Sequence, residues 1–147
     1  MRMRCILTCI FLIMVVPVRA ASPVDLTSLR GRVVYLDFWA SWCGPCRQSF
    51  PWMERMKTNY EALGLAIVAV NVDGDRADAD KFLHQFHPTF DVRFDPKGEL
   101  AELYKVQGMP SSVLIDRHGV MRFMHLGFRP VDGAIYEAQL RELLAEK

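Results

Sequence analysis

The chain has 147 residues, 51% of them hydrophobic and 24% charged, with a formal net charge of +1. That length supports one packed domain and is short for two. The near balance of charge excludes a strongly basic nucleic-acid binder and gives no reason to expect an anionic membrane surface as partner.

Residues 1–20 combine a basic start (Arg2, Arg4), an apolar stretch over residues 5–18 and a Val18-Arg19-Ala20 end that fits a small-residue cleavage rule. This predicts a secretory signal peptide over residues 1–20 and a single domain over residues 21–147. The apolar stretch is shorter than the roughly 20 residues of a spanning helix, and a retained N-terminal membrane anchor is the alternative. Cys5 and Cys9 lie inside it as apolar filler, without the small-residue pattern that precedes a lipid-modified cysteine. Removing the leader takes away Arg2, Arg4 and Arg19 but no acid, so the remainder is close to neutral. Its only cysteines are then Cys43 and Cys46.

Residues 33–39 are apolar and rich in strand formers, which predicts a central strand running into Cys43-Gly44-Pro45-Cys46. From 43 to about 63, Phe50, Met53, Met56, Tyr60 and Leu63 recur at helical spacing and predict one buried face. Pro51 inside this helix removes a backbone donor and is expected to kink it. Residues 65–72 form a nearly unbroken apolar run between Gly64 and Gly74, as in a strand covered on both faces. A second helix follows over 75–86, with Phe82, Leu83 and Phe86 inward. Asp73, Asp75, Asp78 and Asp80 look superficially like a calcium loop. However, Ala77 stands where a ligand is required and Asp78 where glycine is required, so a solvated helix start suffices.

A short strand at 92–94 and a brief helix at 98–104 come next. Strands at 113–115 and 122–126 are joined by Asp116-Arg117-His118-Gly119, whose turn chemistry suits a hairpin. The last helix, about 132–146, carries Tyr136, Leu140, Leu143 and Leu144 at core spacing. His84, His87, His118 and His125 are scattered and read as surface or loop residues. Parallel strands with helical crossovers, followed by an antiparallel pair, predict an α/β sandwich of three layers, with helices flanking a mixed central sheet.

Two cysteines separated by two residues can close a disulfide at a strand-to-helix turn, but so short a loop adds little fold stability. The bridge therefore reads as one made to open and close. Cys43 begins the helix, where free N–H groups and the dipole favour negative charge, so its pKa is expected below the free-thiol value of about 8.5. Cys43 is then the attacking thiolate. Cys46, one turn further in and less exposed, resolves the mixed disulfide. A zinc site would need two more ligands, and no second cysteine pair exists; no metal or other cofactor is expected beyond the redox-active Cys43–Cys46 pair. An exported chain with CxxC as its sole cysteines is most simply a thiol:disulfide exchanger.

The run Phe38-Trp39-Ala40-Ser41-Trp42-Cys43-Gly44-Pro45-Cys46-Arg47, taken with Gly108-Met109-Pro110-Ser111-Ser112, resembles the thioredoxin superfamily and, within it, the exported TlpA/ResA-type oxidoreductases. Asn71-Val72-Asp73-Gly74-Asp75, the segment from Phe94 to Ala101, and Leu114-Ile115-Asp116-Arg117-His118-Gly119 share that likeness. The resemblance implies a thioredoxin fold and dithiol chemistry. It implies that Pro110 is the cis-proline facing the CxxC, with Met109 and Pro110 as one wall of a substrate groove that Trp42, Gly44 and Pro45 border. It also implies that Asp37, six residues before Cys43, is a buried acid beside Cys46 that assists its deprotonation. Many TlpA-type relatives carry asparagine there, so the chain departs toward thioredoxin. Burial without a cation should raise the pKa of Asp37, as a base near neutrality requires.

Gly44-Pro45 matches the dipeptide of thioredoxin, a reductant. The leading expectation is a periplasmic or otherwise exported monomer that reduces disulfides in exported client proteins, apocytochrome c among them, and is re-reduced by a membrane-bound donor. Two other functions are open: a copper-handling protein using Cys43, Cys46 and Met109, and an oxidant that makes disulfides. A peroxidase is disfavoured because position 40 is alanine, not the threonine of a peroxiredoxin-like motif.

Overall fold

The computed structural model describes residues 26–146, and the leader predicted over 1–20 lies outside the described residues. Strand β1 (Val33–Trp39) is followed by helix α1 (Cys46–Tyr60), β2 (Leu65–Asn71), α2 (Arg76–Phe86), β3 (Asp91–Phe94), α3 (Glu99–Leu103), β4 (Ser111–Ile115), β5 (Met121–Leu126) and α4 (Gly133–Ala145). The strands form one sheet in the order β3-β2-β1-β4-β5. Strands β1, β2 and β3 are parallel, whereas β4 and β5 pair antiparallel with their neighbours. This is the expected α/β architecture with a mixed sheet. Among the described residues, no helix is long and apolar enough to cross a membrane.

Right-handed crossovers put α1 and α2 on the same face of the sheet, and α4 returns to it. There Phe50, Met53, Phe82 and Leu140 pack against Val33, Tyr35, Trp39, Ile67 and Leu114. The other face, with Val34, Leu36, Phe38, Val68, Val70 and Val113, is covered by Leu100 of α3, with Leu26 and Leu29 beside it. The sandwich therefore has one thick helical layer and one thin one. Every residue of β1, β2 and β4 is buried, which explains why these strands are apolar apart from Asp37, Asn71, Ser111 and Ser112.

Helix α1 differs from expectation at both ends and in the middle. It starts at Cys46, not Cys43, and continues through Pro51 as one element. The carbonyl that Pro51 leaves without its helical donor is that of exposed Arg47, where water can reach it. After Tyr60 the chain tightens into a 3-10 turn, Glu61–Leu63, closed by Gly64 at φ 101°. Tightening rotates the helical face, so Leu63, expected to be buried, is exposed.

The β4–β5 turn carries a clamp as well as turn chemistry. The Arg117 guanidinium donates to the carbonyls of Gly31 (2.9 Å), Leu63 (3.1 Å), Leu144 (3.2 Å) and Glu146 (3.4 Å). Leu63 and Leu144 lie at helical C-termini, whose last carbonyls lack intrahelical donors. Arg117→Ala is expected to lower unfolding free energy by about 2 kcal/mol in urea titrations. Arg117→Lys should restore little of it, because an ammonium has no planar fork to serve several carbonyls at once.

Candidate active site

Strand β1 lies at the centre of the sheet and leaves it at Trp39, so the loop that follows is held by the most buried strand of the fold. Cys43 stands in that loop, three residues ahead of α1. Pro45, at the N-cap position, offers no side-chain hydrogen bond to the helix. The sulfur of Cys43 supplies one instead: Cys46 donates its backbone N–H to Cys43 Sγ at 3.2 Å. Cys43 and Cys46 form a disulfide, with Cα atoms 5.3 Å apart. Cys46 is fully buried and Cys43 is only 3% exposed, so both sulfurs are shielded in this state. Trp42 is 73% exposed. With exposed Gly44 and Pro45, it borders Cys43.

The loop is tied down by an acid that sequence patterning left as part of a solvated helix start. Asp73 is buried just past β2, and its carboxylate accepts Ser41 N–H at 2.9 Å, the Ser41 hydroxyl at 3.1 Å and the Asn71 amide at 2.8 Å. Trp39 and Asn71 are register partners on β1 and β2, so the strand ends bring Ser41 and Asp73 together. The available signal was the position of Asn71-Val72-Asp73, directly at a strand's carboxyl end. Asp75 does behave as expected, capping α2 through Ala77 N–H at 2.9 Å.

Trp39 is wholly buried behind the site. Its ring lies 4.9 Å from Phe50 and 4.7 Å from Phe82, and Phe82 stacks on Phe86 at 4.4 Å. Arg47 lies over this cluster, 5.2 Å from the Phe82 centroid, and donates to Gln85 at 2.7 Å. Aromatic pairs of this kind add about 1 kcal/mol each beyond area burial, which makes the floor under the dithiol rigid.

The Met109–Pro110 bond is cis, as the resemblance implied. Ser111 pairs with Phe38, so Pro110 enters β4 at the same end of the sheet from which β1 leaves toward Cys43. Met109 is half-buried and packs against the cluster that holds both cysteines, while the carbonyl of buried Pro110 accepts Gly127 N–H at 2.8 Å.

Asp37 is 1% exposed on β1. It alternates with Tyr35 and Trp39, so it points into the layer beneath α1 that also holds Cys46. Asp37 Oδ2 and Trp39 Nε1 are both buried with no hydrogen-bond partner. Such groups cost about 1–3 kcal/mol each, so packing alone does not account for an acid here. Burial holds the Asp37 carboxyl well above the usual carboxylate range. His84, His87 and His118 are exposed as expected. His125 corrects the expectation: it is half-buried on β5, stacked on Tyr136 with centroids 3.8 Å apart, because α4 covers the inner face of that edge strand.

A CxxC ahead of a helix at the carboxyl end of a central strand, opposite a cis-proline, defines a thioredoxin-fold dithiol protein. The Redoxin family's sequence profile matches residues 19–140, and the chain belongs to that family. Among curated proteins it is similar to the thiol-disulfide oxidoreductase ResA of Oceanobacillus iheyensis, at 40% identity over 98 residues, covering 67% of this chain and 51% of that one. ResA of Bacillus subtilis matches at 32% identity, covering 65% and 54%. The chain thus spans about half the length of the curated relatives it matches. A Chlorobium tepidum protein assigned as the thiol:disulfide interchange protein DsbE has a crystal structure that superposes with a TM-score of 0.81 at 55% identity, covering 83% of this chain and 86% of that one. The exposed lipoprotein thioredoxin of Streptococcus pneumoniae superposes at 0.69 with 30% identity, covering 80% and 90%.

A carboxyl whose pKa is raised by folding favours the native state while protonated, and that contribution is lost as pH rises from the usual carboxylate range through its folded value. Asp37→Asn is neutral throughout. It should therefore be more stable than the wild type once pH exceeds that folded value, with the difference vanishing in acid. Urea unfolding of the oxidised proteins at several pH values measures this.

Proposed function

We propose that the chain is a thiol:disulfide oxidoreductase that reduces disulfides of exported client proteins through Cys43 and Cys46. The observation that carries this reading is the pairing of the two sulfurs at the α1 N-terminus, where a backbone N–H already points at Cys43 Sγ. In the reduced protein that donor favours the Cys43 thiolate, which attacks a client disulfide and releases the first client sulfur. Asp37, ionised, takes the proton of the Cys46 thiol. The Cys46 sulfur then attacks Cys43 Sγ, expels the second client sulfur and restores the disulfide. Trp42, Gly44, Pro45, Met109 and Pro110 form the surface against which the client lies.

The direction rests on Gly44-Pro45, the dipeptide of reducing thioredoxins. Export rests on the leader pattern of residues 1–20, and the likeness to an exposed lipoprotein thioredoxin agrees with it. The resemblance to ResA-type proteins makes an apocytochrome c, with its paired cysteines, the first client to test. A membrane-bound dithiol is the proposed electron donor, and the working unit is a monomer.

Two measurements test the reading. Cys46→Ser should accumulate mixed disulfides through Cys43, seen as client bands released by reductant, and Cys43→Ser should capture none. If Cys46→Ser captures nothing either, exchange with protein clients is the wrong function. In stopped-flow traces, Asp37→Asn is expected to slow the Cys46 step by about 100-fold while the Cys43 attack changes far less, and equal slowing of both would remove Asp37 from the mechanism.

A further inference from the structure

Asp37 lies in a row of side chains that crosses the sheet on the α1 face. Its register partner on β2 is Ala69 and on β4 is Ser112, and Ser112 in turn is opposite His125 on β5. Side chains paired in this way on antiparallel strands stand about 5 Å apart at Cβ. Beyond Asp37 the row is polar all the way to the sheet edge. Ser112 Oγ lies 3.1 Å from His125 Nδ1, and His125 Nε2 lies 2.6 Å from Gln139 Oε1 on α4. An amide oxygen only accepts, so Nε2 carries the ring proton and Nδ1 accepts from the Ser112 hydroxyl. Tyr35 lies two residues before Asp37 on the same face of β1.

Burial changes along the row in one direction. Asp37 and Ser112 are 1% and 3% exposed, whereas His125, on an edge strand, is partly exposed. An acid that takes a proton from Cys46 can exchange it with water only through neighbouring polar groups, since its own surroundings are closed. We propose that Ser112 and His125 are positioning residues that carry the Asp37 proton between the buried dithiol and solvent. This rests on the reading of Asp37 as the base for Cys46.

In the outward step, the protonated Asp37 carboxyl turns and donates to Ser112 Oγ while the Ser112 hydroxyl passes its own proton to His125 Nδ1. The imidazolium then releases the Nε2 proton to water, and the ring regains its starting tautomer by exchange at the surface. One proton leaves the carboxyl and one leaves the ring; no bond between heavy atoms changes and no electrons move. The groups facing His125 suit the task. Tyr136 and Gln139 of α4 fix the ring, Ser112 meets it from β4, and Tyr35 and Asp37 lie behind on β1. Asp132, paired with Arg129 at 2.8 Å, adds a nearby negative charge. Burial, the largest influence, holds His125 below the usual histidine range, so that the ring is neutral and ready to accept near neutral pH.

The test follows the Cys46 step with an aromatic disulfide whose second thiolate, released on resolution, is coloured. Ser112→Ala and His125→Phe are each expected to slow that step about tenfold in dilute buffer, with added imidazole restoring the rate and Ser112→Thr close to wild type. In an Asp37→Asn background neither change should slow it further. If Asp37→Asn is slow but both variants keep wild-type rates, the relay is wrong and the base stands. If Asp37→Asn is not slow, the base reading itself has failed and the relay with it. Slowing that imidazole does not relieve, or that persists in the Asp37→Asn background, marks a packing defect and overturns the relay.

Discussion

A carboxyl held in an apolar layer beneath a dithiol is the constraint around which this molecule is organised. Asp37 is buried because β1 is the central strand of the sheet, closed by α1 on one face and by the thin α3 layer on the other. The same strand ends at Trp39 and hands the chain to the loop that holds Cys43, so the buried carboxyl and the dithiol are mounted on one segment. An acid there opposes stability whenever it is ionised, and the rest of the core is compatible with that penalty because β1, β2 and β4 are buried throughout. Local destabilisation at a reacting centre, supported by a well-packed scaffold, is a usual arrangement for a site that must move protons.

Three separate devices keep the dithiol in place. The aromatic cluster of Trp39, Phe50 and Phe82 supports it from behind, the Asp73 carboxylate gathers Ser41 and Asn71, and the Cys46 N–H meets the Cys43 sulfur. Trp42 is left exposed in the middle of these contacts. Fixed backbone with a projecting aromatic is organised in advance, so little order would be lost on binding there.

Much of this was legible in local patterns. Largely apolar runs gave β1 and β2, helical spacing gave the inward faces of α1, α2 and α4, and the Asp116–Gly119 turn gave the hairpin. CxxC at a strand-to-helix turn announced the dithiol, and resemblance supplied the cis bond at Pro110. The failures have equally physical causes. A helical period continued past Tyr60 puts Leu63 inward, whereas the chain tightens there and turns it outward. Asp73 stands among exposed neighbours, and nothing nearby in sequence reveals Ser41, its partner 32 positions earlier in the chain. Arg117 looked like a turn residue because its carbonyl partners come from distant segments.

The sequence by itself determined the order of elements, the dithiol and its place at a strand-to-helix turn, since these depend on periodicity, turn chemistry and spacing within a few residues. Only the tertiary structure decided which side chains share a space. Register across β1, β4 and β5 places Asp37, Ser112 and His125 in one row, and the packing of α4 turns an apparent surface histidine into the outer member of it. Hydrogen bonding between strands sets that juxtaposition, and strand pairing joins residues far apart in the chain, so no local pattern contains it.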